Sequence, residues 1–250
     1  MSRAHIGTSG FMYPHWKGHF YPSKLPHKDW FGYYTKQFDT VELNVSFYRL
    51  PKKETFEKWR KTAGKNFIFS IKGSRYITHL KRLKDCQGAV GKFFEAASPL
   101  GGLTSREVRS QQVKNVILWQ LPPRFKVNPE RLEEFLRVLP KTWRHAFEFR
   151  SSTWLTVKIF ELLRRYGAAI VFQDFPGWPI TKEITTDFVY LRFHGKTHLY
   201  TSDYSKKELE KWGRRIDKWM NGGLDVYVYF NNDALGYAFQ NAQVLKDLVK

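Results

Sequence analysis

Phe188-Val189-Tyr190-Leu191-Arg192-Phe193-His194 reads as a β-strand with two unlike faces. Side chains alternate along a strand, so Val189, Leu191 and Phe193 share one face and Tyr190, Arg192 and His194 the other. The same division recurs at 41–46, where Val41, Leu43 and Val45 oppose Glu42, Asn44 and Ser46. At 67–73 it sets Phe67, Phe69 and Ile71 against Ser70 and Lys72. At 145–150 it sets Phe147 and Phe149 against Glu148 and Arg150, and at 226–232 Val226, Val228 and Phe230 against Tyr227, Tyr229 and Asn231. The apolar face of each strand has to pack beneath helices. The other face points inward and turns polar toward the strand's end, where a barrel normally carries branched apolar residues.

Outward from these segments the chain alternates. Strand composition falls at 5–9, 41–46, 67–73, 116–122, 145–150, 169–174, 188–194 and 226–232. Helical patterns fall at 29–37, 53–63, 86–97, 129–138, 153–166, 205–220 and 234–248. Pro129 and Ser205 sit at helix starts, which suit them. After the sixth strand, 175–180 leaves room for a short helix only, and the polar stretch 104–112 has no assigned conformation. Strand–helix alternation implies right-handed parallel units. Eight of them imply an α/β fold, a (β/α)8 TIM-like barrel with a polar pocket at the strand C-terminal end, in one domain over residues 1–250. The rival, a doubly wound open sheet, lacks a Gly-rich phosphate fingerprint after the first strand.

Composition narrows the class. Hydrophobic residues make up 42% of the 250, and aromatics 17%, enough for a full core. No apolar run approaches the roughly 20 residues that span a bilayer, and the opening MSRAHIGTSG lacks the apolar stretch of a secretory signal. Cys86 is the only cysteine, which excludes an intramolecular disulfide and a cysteine cluster for zinc. A cytoplasmic protein is expected, with no membrane partner. Forty-two Lys and Arg against 23 Asp and Glu give +19, a field that attracts polyanions. Basic residues gather at Lys72, Arg75, Lys81, Arg82 and Lys84, leaving the third strand, where they line a site or a solvated loop equally well. A second cluster, Lys206, Lys207, Lys211, Arg214, Arg215 and Lys218, has helical spacing and reads as the solvated face of an outer helix.

The strand ends supply the candidate chemistry. Glu42, Glu148, Asp174 and His194 are the candidate catalytic residues. Asn44, Tyr48, Lys72, Arg75, His79, Gln120, Arg150, Arg192, Asn231 and Trp16 are the candidate substrate-binding residues. Carboxylates with imidazoles suit a divalent metal (Mg, Mn or Zn), although no paired-histidine spacing marks a site. The alternative is that Arg150 and Arg192 neutralise Glu42 and Glu148 in internal salt bridges. Lys72, Arg150 and Arg192 are donors fitted to phosphate or carboxylate. The aromatic loop Phe11, Tyr13, Trp16, Phe20 and Tyr21 suits stacking on a sugar or a base, or an apolar lid on the first helix. The excess positive charge favours a hydrolase of phosphorylated substrates, nucleic-acid phosphodiesters foremost. Two alternatives stand beside it: a carbohydrate-active enzyme using Glu42 and Glu148, and a nucleic-acid-binding barrel without catalysis.

Several strings carry a resemblance. They are Gly7-Thr8-Ser9-Gly10, Trp16-Lys17-Gly18-His19-Phe20-Tyr21-Pro22 and Val41-Glu42-Leu43-Asn44-Val45-Ser46-Phe47-Tyr48-Arg49-Leu50-Pro51. Lys72 with Thr78-His79, Gln120-Leu121-Pro122-Pro123, Glu148-Phe149-Arg150, Arg192-Phe193-His194-Gly195 and Tyr229-Phe230-Asn231-Asn232-Asp233 follow in order. In this combination the chain resembles the domain of unknown function 72 family over nearly its whole length. The resemblance implies a TIM-barrel-like fold and no established reaction. Phe11 stands where many relatives have Trp.

Overall fold

The computed structural model describes residues 2–101, 115–179 and 181–249. The polar stretch 104–112 lies outside them, as does Ile180. Eight strands follow the expected positions within a residue or two at nearly every end: β1 Ala4–Thr8, β2 Thr40–Leu43, β3 Ile68–Lys72, β4 Val116–Leu121, β5 Arg144–Phe149, β6 Ala169–Asp174, β7 Phe188–Phe193 and β8 Asp225–Phe230. They form one sheet in the order β1-β8-β7-β6-β5-β4-β3-β2. Just past β1, Ser9 bridges in parallel to Glu42 of β2, the pairing that closes a TIM-like (β/α)8 barrel. No helix of the described residues is long and apolar enough to cross a membrane.

The chain divides into two compact units: Met1–Glu42, Phe172–Lys182 and Asp187–Lys250 make the first, Leu43–Val171 and Glu183–Thr186 the second. In the first, β7 runs beside β8 with Tyr190 opposite Tyr227 and Arg192 opposite Tyr229. The outward set packs as parity requires. Phe193 stacks on Phe230 at 4.7 Å and meets Trp212 of helix Lys206–Asn221 at 5.1 Å. That helix starts at a capping box, Ser205 and Glu208 satisfying each other's end of the first turn. Arg215 departs from the expected solvated face, because its guanidinium lies 4.7 Å from the ring centroid of Trp219 and 5.2 Å from that of Phe172.

In the second unit, Phe147 meets Phe135 of helix Pro129–Arg137, and Phe149 stacks on Trp154 at 4.9 Å. Trp119 of β4 is fully buried between Phe93 and Phe135. Its indole N–H donates to His145 Nδ1 at 3.2 Å, so the imidazole proton sits on Nε2 and faces the Pro140 carbonyl at 3.0 Å. Burial lowers the His145 pKa to about 4, which keeps this ring neutral. Gly73 lies against the same indole, and a Cβ there would fall 2.3 Å from Trp119 Cε3. Gly73→Ala is therefore expected to destabilise the protein by about 1–3 kcal/mol, read from urea unfolding. A change below ~0.5 kcal/mol would mean that the indole has room to shift.

Three local expectations are corrected. The second strand stops at Leu43 rather than running to Ser46, because Asn44 turns into the helical segment Val45–Tyr48. The Ser46 hydroxyl donates to the Leu43 carbonyl at 3.3 Å and the Lys72 carbonyl at 2.6 Å, a local alternative to the ladder. Val45, expected beneath a helix, is 48% exposed. The helix expected from 153 starts at Val157, where Thr156 caps it. The short helix expected over 175–180 is not formed by the described residues 175–179, which make a turn containing Pro176, Gly177 (φ 73°) and Pro179.

Candidate functional site

Each unit gathers its own set of polar strand ends. In the first, Glu42 and Arg192 are 0% and 1% exposed and form a buried ion pair. Arg192 donates twice, from Nε to Oε2 at 2.9 Å and from Nη2 to Oε1 at 2.6 Å. Tyr190 donates to Oε2 at 2.7 Å, and Ser9 donates to Oε1. Burial pushes the Glu42 carboxyl up, but the Arg192 charge and the hydrogen bonds from Arg192, Ser9 and Tyr190 outweigh it and hold the pKa below the ordinary value. Such a group is a poor proton donor at neutral pH. The salt-bridge arrangement, one of the two anticipated for the inner charges, is the one adopted here.

Asp174, at the end of β6, differs. It is 8% exposed, and Trp212 Nε1 donates to Oδ2 at 3.3 Å. Burial raises its pKa beyond what Trp212 and the Lys196 charge restore. His194, fully buried, meets Asn231 through Nδ1 at 3.0 Å, with Tyr200 and Phe175 edge-on to its ring. Trp16 is also fully buried, its ring covered by Tyr13, Phe20, Tyr21 and Phe239, so neither face is open to a base. Its indole instead donates to Asp233 Oδ1 at 2.7 Å. His15 Nε2 lies 2.9 Å from the other carboxylate oxygen. Burial pushes the Asp233 pKa up to about 6 against the pull of Trp16 and His15. Sequence reasoning missed this His15–Asp233 pair, since 218 positions separate the two partners.

The second unit holds the remaining candidates. Glu148 is fully buried, with Arg150 Nη2 at 2.5 Å and Gln120 Nε2 at 3.1 Å from Oε1. Lys72 Nζ lies 4.3 Å from the Phe47 ring centroid. His79 meets the same ring edge-on at 4.9 Å, and its Nδ1 is 2.9 Å from the Thr78 hydroxyl. Burial, then the charges of Lys72 and Arg75, lower the His79 pKa to about 4 against the opposing pull of Glu148. At neutral pH this imidazole is uncharged among cations. Asn44 and Gln120 are half-buried, and Arg75 and Arg82 are exposed. Tyr48 is 78% exposed and Tyr76 52%, and Tyr76 follows Arg75 directly, with Lys81 Nζ 5.9 Å from its ring centroid. Tyr76 was not among the expected binders, and its adjacency to Arg75 is the one signal the sequence offers.

Among the described residues no three His, Cys, Asp or Glu side chains converge as a metal site. The carboxylates proposed for Mg, Mn or Zn together with His79 and His194 are engaged elsewhere: Glu42 with Arg192, Glu148 with Arg150, and Asp174 with Trp212.

The comparisons with known proteins agree with this fold. UPF0759 protein YunF of Bacillus subtilis (strain 168) is 24% identical over 283 residues, covering 98% of this chain and 94% of that protein. UPF0759 protein YecE of Escherichia coli (strain K12) is 36% identical over 67 residues, 27% of this chain and 25% of that protein. A DUF72 family protein of Thermotoga maritima MSB8, solved by crystallography, superposes with a TM-score of 0.85 at 30% identity, covering 98% of each chain. One from Enterococcus faecalis V583 gives a TM-score of 0.82 at 19% identity, over 98% of this chain and 95% of that one. The family model described as protein of unknown function DUF72 matches residues 5–250, and the chain belongs to that family.

Proposed function

We propose that the chain is a hydrolase of phosphorylated substrates, with single-stranded nucleic acid bound along the residues that leave β3 and a phosphodiester cleaved there. One observation carries the reading. Exposed Arg75 and Arg82 stand in the same unit as the open rings of Tyr48 and Tyr76 and the neutral imidazole of His79. Backbone phosphates require cations, and unstacked bases require aromatic faces. Burial is the larger cause of the low His79 pKa; a bound phosphate would offset the next, the charges of Lys72 and Arg75, and so move the pKa upward. His79 would then accept the proton of a water attacking phosphorus, while the P–O bond to the leaving nucleotide oxygen breaks and that oxygen takes a proton from solvent. A cytoplasmic setting goes with this reading.

His79→Gln is expected to slow cleavage of a single-stranded oligonucleotide by about 10²–10⁴-fold while leaving its affinity within about twofold. Unchanged cleavage in this variant would overturn the role of His79. The second reading, binding without turnover, is favoured by the engagement of Glu42 and Glu148 in ion pairs with Arg192 and Arg150. Salt-dependent binding with no cleavage by the wild-type protein would select it. In the carbohydrate reading Glu42 suits the base or nucleophile and not the acid, since a glycosidase acid needs a raised pKa and this one is lowered.

A further inference from the structure

A cleft of about 400 Å³ opens in the second unit, lined among others by Ser74, Tyr76, Lys81, Asp85, Gly88 and Lys92. Its wall is the π-helical turn Tyr76–Leu80 and the residues after it. Three non-glycine residues there take left-handed backbone: Arg82 at φ 48°, Leu83 at 67° and Asp85 at 47°. Side-chain-bearing residues disfavour this conformation, and it persists only where surroundings enforce it. Here the Leu83 N–H donates to the Ile77 carbonyl at 3.0 Å and the Lys84 N–H to the Lys81 carbonyl at 3.0 Å, while the Leu83 and Cys86 side chains are buried. On the opposite wall, helix Gln87–Ala97 presents Gly88, where an added Cβ would meet no atom within 4 Å. Among the described residues Lys81, Lys92 and Asp85 form no ion pair. Lys81 Nζ lies 5.9 Å from the Tyr76 ring centroid.

This lining selects its ligand by elimination. An apolar molecule would make no use of the charges of Lys81, Lys92 and Asp85, which line the cleft. A bare phosphate would satisfy the lysines and leave the tyrosine face and most of the volume unfilled. A neutral sugar would lack the anion. A nucleotide offers all three features: a flat ring for Tyr76, an amino donor for Asp85, and a phosphate for Lys81 and Lys92. We propose that this cleft binds one nucleotide, its base stacked on Tyr76 and its phosphate held between Lys81 and Lys92. As the seat of one nucleotide of a bound strand, the cleft rests on the single-strand reading above; as a site for a free nucleoside monophosphate it does not.

The test is a set of titrations followed by tryptophan fluorescence or calorimetry. The probes are cytidine monophosphate, uridine monophosphate, inorganic phosphate and a short 5′-phosphorylated single-stranded oligonucleotide. Cytidine monophosphate is expected to bind one site at least about tenfold more tightly than inorganic phosphate, and more tightly than uridine monophosphate, which lacks the amino donor. Gly88→Leu fills the cleft from a helical position that accepts a larger side chain, so the unfolding midpoint is expected to hold or rise. The same variant is expected to weaken cytidine monophosphate by at least about tenfold. A weakened oligonucleotide beside it assigns the site to a strand, and an unchanged one assigns it to the free nucleotide. Equal affinity for phosphate and cytidine monophosphate, or no effect of Gly88→Leu, overturns the cleft. If Gly88→Leu blocks the mononucleotide while Arg75→Gln/Arg82→Gln leaves oligonucleotide binding intact, the cleft stands and the strand reading falls.

Discussion

Arg192→Met is expected to cost about 3–5 kcal/mol of stability in urea unfolding at neutral pH, because it leaves the fully buried Glu42 carboxylate without its counter-charge. The double variant Glu42→Gln/Arg192→Met is expected to recover most of that loss. It removes the stranded charge and keeps an amide oxygen to accept from one of the two hydroxyls, Tyr190 or Ser9, while the amide nitrogen donates to the other. The linkage has a definite sign. The Glu42 pKa is lower folded than unfolded, so its contribution is fully present above the unfolded value and is lost as pH falls through the folded one. The stability gap between wild type and the double variant should therefore shrink below the ordinary carboxylate range. A cost below about 1 kcal/mol for Arg192→Met would mean that water reaches this pair, contrary to its burial.

The fold was legible because parity repeats. Val189, Leu191 and Phe193 against Tyr190, Arg192 and His194 reads as a barrel strand without any tertiary information. The same parity brought Glu42, Glu148 and Arg192 to the inner face. It could not decide which of them pair, since Glu42 and Arg192 are 150 positions apart. Val45 was misread because Ser46 bonds carbonyls of β2 and β3, a competition invisible in an alternating pattern. Trp16 was ambiguous for a different reason: an aromatic lid and a stacking platform have the same composition, and only the covering rings separate them. The left-handed wall at Arg82, Leu83 and Asp85 has no glycine to announce it. Tyr76 beside Arg75 was readable as a basic–aromatic pair, and the expectation settled on the first loop instead.

The second large effect concerns nucleic acid. Arg75 and Arg82 are exposed, and among the described residues neither forms an ion pair, so both are available to strand phosphates. A charge-assisted hydrogen bond contributes roughly 1.5 kcal/mol or more. Arg75→Gln/Arg82→Gln is accordingly expected to weaken an oligonucleotide by about 100-fold at low salt. A net charge of +19 makes loose binding to any polyanion unavoidable, so affinity alone does not locate a site. Position does. Lys211 and Arg214 are exposed on helix Lys206–Asn221 and carry the same two charges. They make a better control than Arg215, which packs over Trp219.

The most direct measurement is the salt dependence of oligonucleotide binding in three proteins: wild type, Arg75→Gln/Arg82→Gln and Lys211→Gln/Arg214→Gln. Each phosphate contact on a single strand adds roughly 0.7 to the slope of log affinity against log salt. The β3 pair is expected to flatten that slope by about 1.4, while the helix pair leaves it unchanged. Equal flattening by the two pairs, or none by either, would mean that the protein attracts nucleic acid through its overall charge alone, and the proposed site would be wrong.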